Sequence, residues 1–170
     1  MELFLAATLK GKDMYSSTTQ ETSLTGSKDF RMLVFACKWC GFIAADGAGR
    51  ERIPLTPHFR LIPVECAASV EPDVIIRALA DGIDGIAILG CHLGGCRYNQ
   101  ANHMAVKRNE LLQDLFDIIG VDRRRLMVSW GTAHEPFQFE RDIHRFQQIL
   151  EKLPPMDHLL KPPKFQTNRL

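Results

Sequence analysis

The sequence has no surplus of either charge: 21 Lys and Arg face 20 Asp and Glu, leaving a formal net charge of +1. Phosphate recognition usually leaves a domain basic, so nothing invites a nucleic-acid partner. No apolar run approaches the roughly 18 residues that a membrane-spanning helix needs. The opening MELFLAATLKGK has no basic stretch before its apolar residues and no clear cleavage site after them. It makes a poor signal peptide, and a cytoplasmic protein is the default. No strand is followed by G-x-x-x-x-G-K-[ST] or G-x-G-x-x-G, and no serine, histidine and acid arrangement announces a hydrolase. Cysteine is missing from both ends of the chain. All five, Cys37, Cys40, Cys66, Cys91 and Cys96, fall in its middle.

What is present is ordinary for a soluble domain: 170 residues, 45% hydrophobic and 24% charged, enough for one core. Residues 1–30 are largely polar and rich in Ser and Thr from Lys10 onward, and read as an extension. Arg31 to Ala36 (RMLVFA) predicts a first strand, and Gly41 to Asp46 a short helix ended by turn signals at Gly47 and Gly49. Phe59 to Val64 (FRLIPV) predicts a second strand, which Pro63 assigns to an edge. Pro72 opens a helix with Val74, Ile75, Ala78 and Leu79 on its apolar face, stopped by Gly82.

The run GIAILGC from Gly85 to Cys91 is the third strand. A helix within Asn99 to Ile119 carries Met104, Leu111, Leu115 and Ile119 near helical spacing. Arg125 to Trp130 is the fourth strand, and from Pro136 a last helix carries Phe139, Ile143, Phe146, Leu150 and Leu153 along one face. Residues 31–153 thus form the domain. Residues 154–170, with Pro154, Pro155, Pro162 and Pro163, read as a tail.

Strand and helix alternating four times predicts an α/β fold: a small parallel four-stranded sheet with helices on both faces. Right-handed crossovers bring every strand's C-terminal end to one edge, where such sheets bind ligands. Cys37, Cys66 and Cys91 each follow directly on a predicted strand end. One buried cysteine is commonly just a small hydrophobe. Five thiols, all in such places in a reducing compartment, point to a metal site or redox chemistry. Cys37 and Cys40 form a chelating C-x-x-C, and Gly94 and Gly95 let Cys91 and Cys96 form a second pair around a tight reversal.

Zinc and iron-sulfur sites both take four such thiolates. Long gaps separate Cys40, Cys66 and Cys91, unlike the paired knuckles of structural zinc sites, and the close-set run of bacterial ferredoxins is also absent. A dithiol oxidoreductase using Cys37 and Cys40 leaves the other three unexplained.

CKWCG, the single Cys66 followed by Glu71-Pro72, and GCHLGGCRY together resemble the delta subunit of methyl-viologen-reducing hydrogenase, over about Arg31 to Leu153. That resemblance implies a [2Fe-2S] cluster whose ligands are four of Cys37, Cys40, Cys66, Cys91 and Cys96. It also implies an electron-transfer subunit of a hetero-oligomeric complex with no substrate turnover of its own. Electrons would pass between the flavin-containing A subunit of heterodisulfide reductase and a hydrogenase or formate dehydrogenase partner. The rival from another class is a zinc-stabilised adaptor without redox activity.

His92 reads as a hydrogen-bonded turn residue, because histidine ligation in the Rieske manner needs two. Arg97 and Tyr98 either shield the site and tune it or face a partner. Trp39 and Trp130 read as core aromatics packed near the same edge, and Arg123 to Arg125 as a solvated turn.

Overall fold

The computed structural model describes residues 30–156. Most of the expected extension and tail lies outside the described residues. The order is β1 (Met32–Cys37), α1 (Gly41–Arg50), β2 (Phe59–Val64), α2 (Pro72–Ala80), β3 (Gly85–Cys91), α3 (Ala101–Ile119), β4 (Leu126–Gly131) and α4 (Pro136–Glu151). Short 3-10 turns lie at Ala67–Ser69 and Arg123–Arg125.

The four strands form one sheet in the order β2-β1-β3-β4, and every neighbouring pair is parallel. The chain leaves β1 for the β2 edge, then crosses back over β1 to β3 and continues to β4. With right-handed crossovers, that reversal places α1 on one face and α2 and α3 on the other. Alternate strand residues show the same division. Val34, Ala36, Ala87 and Leu89 pack with Ala44 and Ala48 of α1 and Phe139, Ile143, Phe146 and Leu150 of α4. Phe35, Ile86 and Ile88 pack with Ile75 and Leu79 of α2 and Leu112 and Phe116 of α3. β3 is buried at all seven residues, hence its unbroken apolar run, whereas β2 takes Pro63 at the edge.

Three sequence expectations are corrected. Gly47 and Gly49 do not end α1, which runs on to Arg50. The helix lies close to the sheet: a Cβ on Gly41 would come within 2.8 Å of the Leu89 Cβ. Gly41, Ala44, Ala45, Gly47 and Ala48 are its buried residues, so smallness there serves close approach rather than a turn. α3 turns the other way from the expected face. Met104, Leu111, Leu115 and Ile119 are exposed, and the buried stripe is Asn102, Ala105, Asn109, Leu112 and Phe116. Val74 of α2 is likewise exposed while Ile75 and Leu79 are buried.

The third correction is Arg125, which is 1% exposed rather than solvated. Its guanidinium donates to the Asp84 carbonyl at 2.8 Å and to the Pro154 carbonyl. Asp84 in turn accepts from the backbone N–H of Arg31 at 2.9 Å and of Met156 at 3.0 Å. The chain therefore stays packed past Leu153, and the Met156 side chain is buried in the α2/α3 face.

Candidate metal centre

β1 and β3 are neighbours whose following connections leave in opposite directions. The crevice beyond the carboxyl ends of such a strand pair is the usual ligand position in doubly wound sheets. Cys37 is the last residue of β1 and Cys91 the last of β3. Both are buried, and their sulfurs lie 3.8 Å apart. Two thiolates on one tetrahedral ion, at about 2.3 Å from it, are separated by about 3.8 Å. The pair already has the bite of a metal chelate.

The remaining thiols come from the loops around this pair. Cys40 caps the N-terminus of α1 after a turn in which its N–H donates to the Cys37 carbonyl at 3.1 Å. The positive end of that helix therefore meets the thiols. Cys66 follows β2 and precedes the Ala67–Ser69 turn, its carbonyl accepting from the Ser69 hydroxyl at 2.7 Å. Cys96 follows the Gly94 turn, whose φ of +86° suits glycine. Cys40 interacts electrostatically with Cys37, Cys91 and Cys96, and Cys66 with Cys96 and Cys37. All five sequence-predicted thiols thus share one neighbourhood. Among the described residues, no three His, Cys, Asp or Glu side chains converge on a single metal position. The donor set is one of cysteine sulfurs, with one pair, Cys37 and Cys91, at chelating distance, and such donors suit both zinc and iron-sulfur groups.

Burial, the largest cause in each case, pushes the thiols of Cys37, Cys40 and Cys66 above the ordinary cysteine value. Burial, reinforced by the neighbouring Cys40, pushes Cys91 up to about 12. Burial and crowding favour the neutral thiols here, and a bound metal ion would supply the charge that lets them act as thiolates.

Side chains from the three thiol-bearing loops form a belt across the site. The Arg97 guanidinium lies 3.9 Å from the centre of the Trp39 ring, and the Lys38 ammonium lies 5.1 Å from it. The Trp39 indole N–H donates to the Tyr98 hydroxyl at 3.3 Å, which donates to Glu65 at 3.4 Å, and Glu65 also pairs with Lys38. Trp39 is thus a bridge between loops rather than a core aromatic. Trp130 packs over Gly90, where a Cβ would fall 2.4 Å from its ring.

His92 turns to Glu135, with Nε2 3.2 Å from its carboxylate, as a turn residue would. Glu135 also accepts from the Thr132 N–H at 2.6 Å; this bond above all holds its carboxyl below the usual range.

Two supporting residues went unseen in the sequence. Asn102, 1% exposed, donates its side-chain amide to the carbonyls of Cys91 at 3.2 Å and His92 at 2.7 Å. Arg108 donates to the Ala68 carbonyl at 2.9 Å, just beyond Cys66. The signal available was the run 102, 105, 109, 112, 116, stepping by three and four, but two asparagines in it hide it from an apolar search.

Compared with known proteins, residues 32–154 match the family model for the methyl-viologen-reducing hydrogenase delta subunit. The chain belongs to that family. The iron-sulfur D subunit of F420-non-reducing hydrogenase from Archaeoglobus profundus is 36% identical over 124 residues, covering 73% of this chain and 90% of that protein. The vhc iron-sulfur D subunit of F420-non-reducing hydrogenase from Methanococcus voltae is 36% identical over 110 residues, 65% of this chain and 76% of its own. The A subunit of ferredoxin:CoB-CoM heterodisulfide reductase from Methanosarcina mazei is 34% identical over 130 residues, 76% of this chain but only 16% of that protein. A domain of this kind therefore has counterparts both within a heterodisulfide reductase chain and as a separate hydrogenase subunit.

Proposed function

We propose that this delta-subunit family member is an electron-transfer subunit holding one [2Fe-2S] cluster on four of Cys37, Cys40, Cys66, Cys91 and Cys96. It would serve in the cytoplasm between a hydrogenase or formate dehydrogenase type partner and the flavin-containing A subunit of a heterodisulfide reductase type complex. The observation that carries this reading is the gathering of five thiols from three loops at the β1/β3 switch point. The two kinds of relative support the choice of partners, one belonging to a hydrogenase and the other to a heterodisulfide reductase.

A bound cluster supplies one-electron exchange without bond making in a substrate. The protein's part is to hold and shield. Backbone turns after β1 and β3 present the sulfurs, and the α1 N-terminus and the Lys38 and Arg97 cations oppose their negative charge. The Trp39 indole and the Tyr98 hydroxyl tie the β1 and β3 loops together.

Anaerobically purified protein is expected to be reddish brown, with about two irons and two sulfides per chain and a reduced-state paramagnetic signal. A colourless protein containing only zinc would sink the reading. The second reading, a zinc-stabilised adaptor, is kept because the 3.8 Å bite of Cys37 and Cys91 suits zinc as well as iron. It predicts no visible absorbance, and unfolding on chelation.

A further inference from the structure

We infer that α3 sets the positions of the thiols, with Asn102 and Arg108 as separate positioning residues for the loops of Cys91 and Cys66. The inference deepens the proposed function, since it concerns the same sulfur site. It starts from a division of labour along one helix. Asn102, in the first turn of α3, spends both N–H groups of its amide on two successive carbonyls, those of Cys91 and His92. Its oxygen accepts from the His103 N–H at 3.0 Å, so the buried amide is satisfied at every contact. Two turns later Arg108 reaches the opposite loop, donating to Ala68 at 2.9 Å and to Val70 at 3.5 Å, with Glu71 3.6 Å away.

Hydrophobic packing seats Ala67 and Val70 of the Cys66 loop against the α3 face, and these polar contacts fix the directions of the peptides around them. β3 ends at Cys91, and the direction of the next two peptides is set by what binds their carbonyls: Asn102 at both, joined at His92 by the Gly95 N–H at 2.9 Å. Two carbonyls in sequence held by one planar amide have little freedom to rotate. The Cys66 loop belongs to the edge strand β2, which has a neighbour on one side only. Glu65 ties the near side of this loop to Lys38 and Tyr98, and Arg108 tethers its far side, beyond Cys66, to α3. Since both anchors stand on the same rigid helix, they hold the β2 and β3 thiol loops at a set spacing.

The test uses the full chain as purified under anaerobic conditions with its metal bound, with iodoacetamide labelling of each cysteine followed by mass spectrometry. Asn102→Asp keeps size and shape but removes the two donors, and Asn102→Ser is the smaller second variant. Arg108→Gln changes a partly exposed residue whose loss the core tolerates. Loss of about two hydrogen bonds opens a local segment on the order of tenfold more often. The expected result is labelling of Cys91 on the order of tenfold faster in the Asn102 variants with Cys66 unchanged. Arg108→Gln is expected to show the converse. Unchanged rates would overturn the inference, and so would equal acceleration of all five thiols, which marks general loosening rather than positioning. Because labelling reads the opening of each loop whatever metal the thiols hold, a protein that proves to hold zinc would end the iron-sulfur reading and leave the α3 result intact. A shift of the midpoint potential in the uncharged variant Asn102→Ser, at unchanged iron content, is the matching readout in the loaded protein.

Discussion

Serine replaces a cysteine with little change in size but makes a poor ligand for iron. Each of the five Cys→Ser variants, purified anaerobically, therefore asks whether that sulfur is needed. Four are expected to lose most of their iron and the fifth to retain it, because a [2Fe-2S] cluster takes four thiolates. Iron retained by all five would be incompatible with a thiolate-held cluster. Gly90 poses a different question one residue before Cys91. An added methyl would fall 2.4 Å from the Trp130 ring and 3.0 Å from the Ala67 Cβ, next to Cys66. Gly90→Ala is expected to cost about 1–3 kcal/mol in urea unfolding, the usual range for overpacking a core. A neutral result would mean that Trp130 swings away freely.

Among the elements, α3 separates hydrophobicity from burial. Leu111 and Leu112 are adjacent, yet the first is 71% exposed and the second 4%. Leu112→Ala is expected to cost about 2–5 kcal/mol, and Leu111→Ala to stay within about 0.5 kcal/mol, both by denaturant unfolding. Comparable losses at both positions would restore the face expected from the sequence. α4 was legible because its buried positions Phe139, Ile143, Phe146 and Leu150 are all large apolar residues at helical spacing, even though Phe137 beside them is exposed. α3 was not, because its buried stripe contains two asparagines whose amides find backbone carbonyls, while larger apolar side chains lie outside it. The 3-10 turn before β4 offers a pH test. Asp122 accepts from the Arg124 N–H at 2.9 Å and pairs with its guanidinium, a hydrogen bond that holds the carboxyl below its ordinary 3.8. A depressed carboxyl stabilises the fold above its ordinary value and loses that contribution as pH falls through the folded one. Asp122→Asn is therefore expected to be less stable at pH 7 by no more than about 1 kcal/mol, since the pair is partly exposed. The difference should vanish in strong acid, and a gap that persists there would assign it to something other than charge.

Across the whole molecule, the sheet has one edge for the thiols and the opposite edge for holding the chain together. The parallel sheet, the edge position of β2 and the placing of Cys37 and Cys91 at strand ends were legible because apolar runs and a proline mark them directly. The opposite edge was not. Arg123-Arg124-Arg125 reads as a charged turn, yet its last member is buried between Asp84 and Pro154, contacts made across 41 and 29 residues that no local pattern announces. The same network makes residues 154–156 part of the folded body: Met156 is 1% exposed, and its N–H binds Asp84. Ending the chain after Leu153 removes that side chain and leaves two Arg125 and Asp84 contacts unmade. The expected loss is about 2–5 kcal/mol, or a fall in melting temperature on the order of 10 °C for a domain of this size. The sulfurs lie at the other end of the strands, so iron per folded chain and the cluster's midpoint potential should match those of the full chain. Shifts in both stability and potential would show that the two edges are coupled through β3, whereas an unchanged melting temperature would return residues 154–156 to the tail.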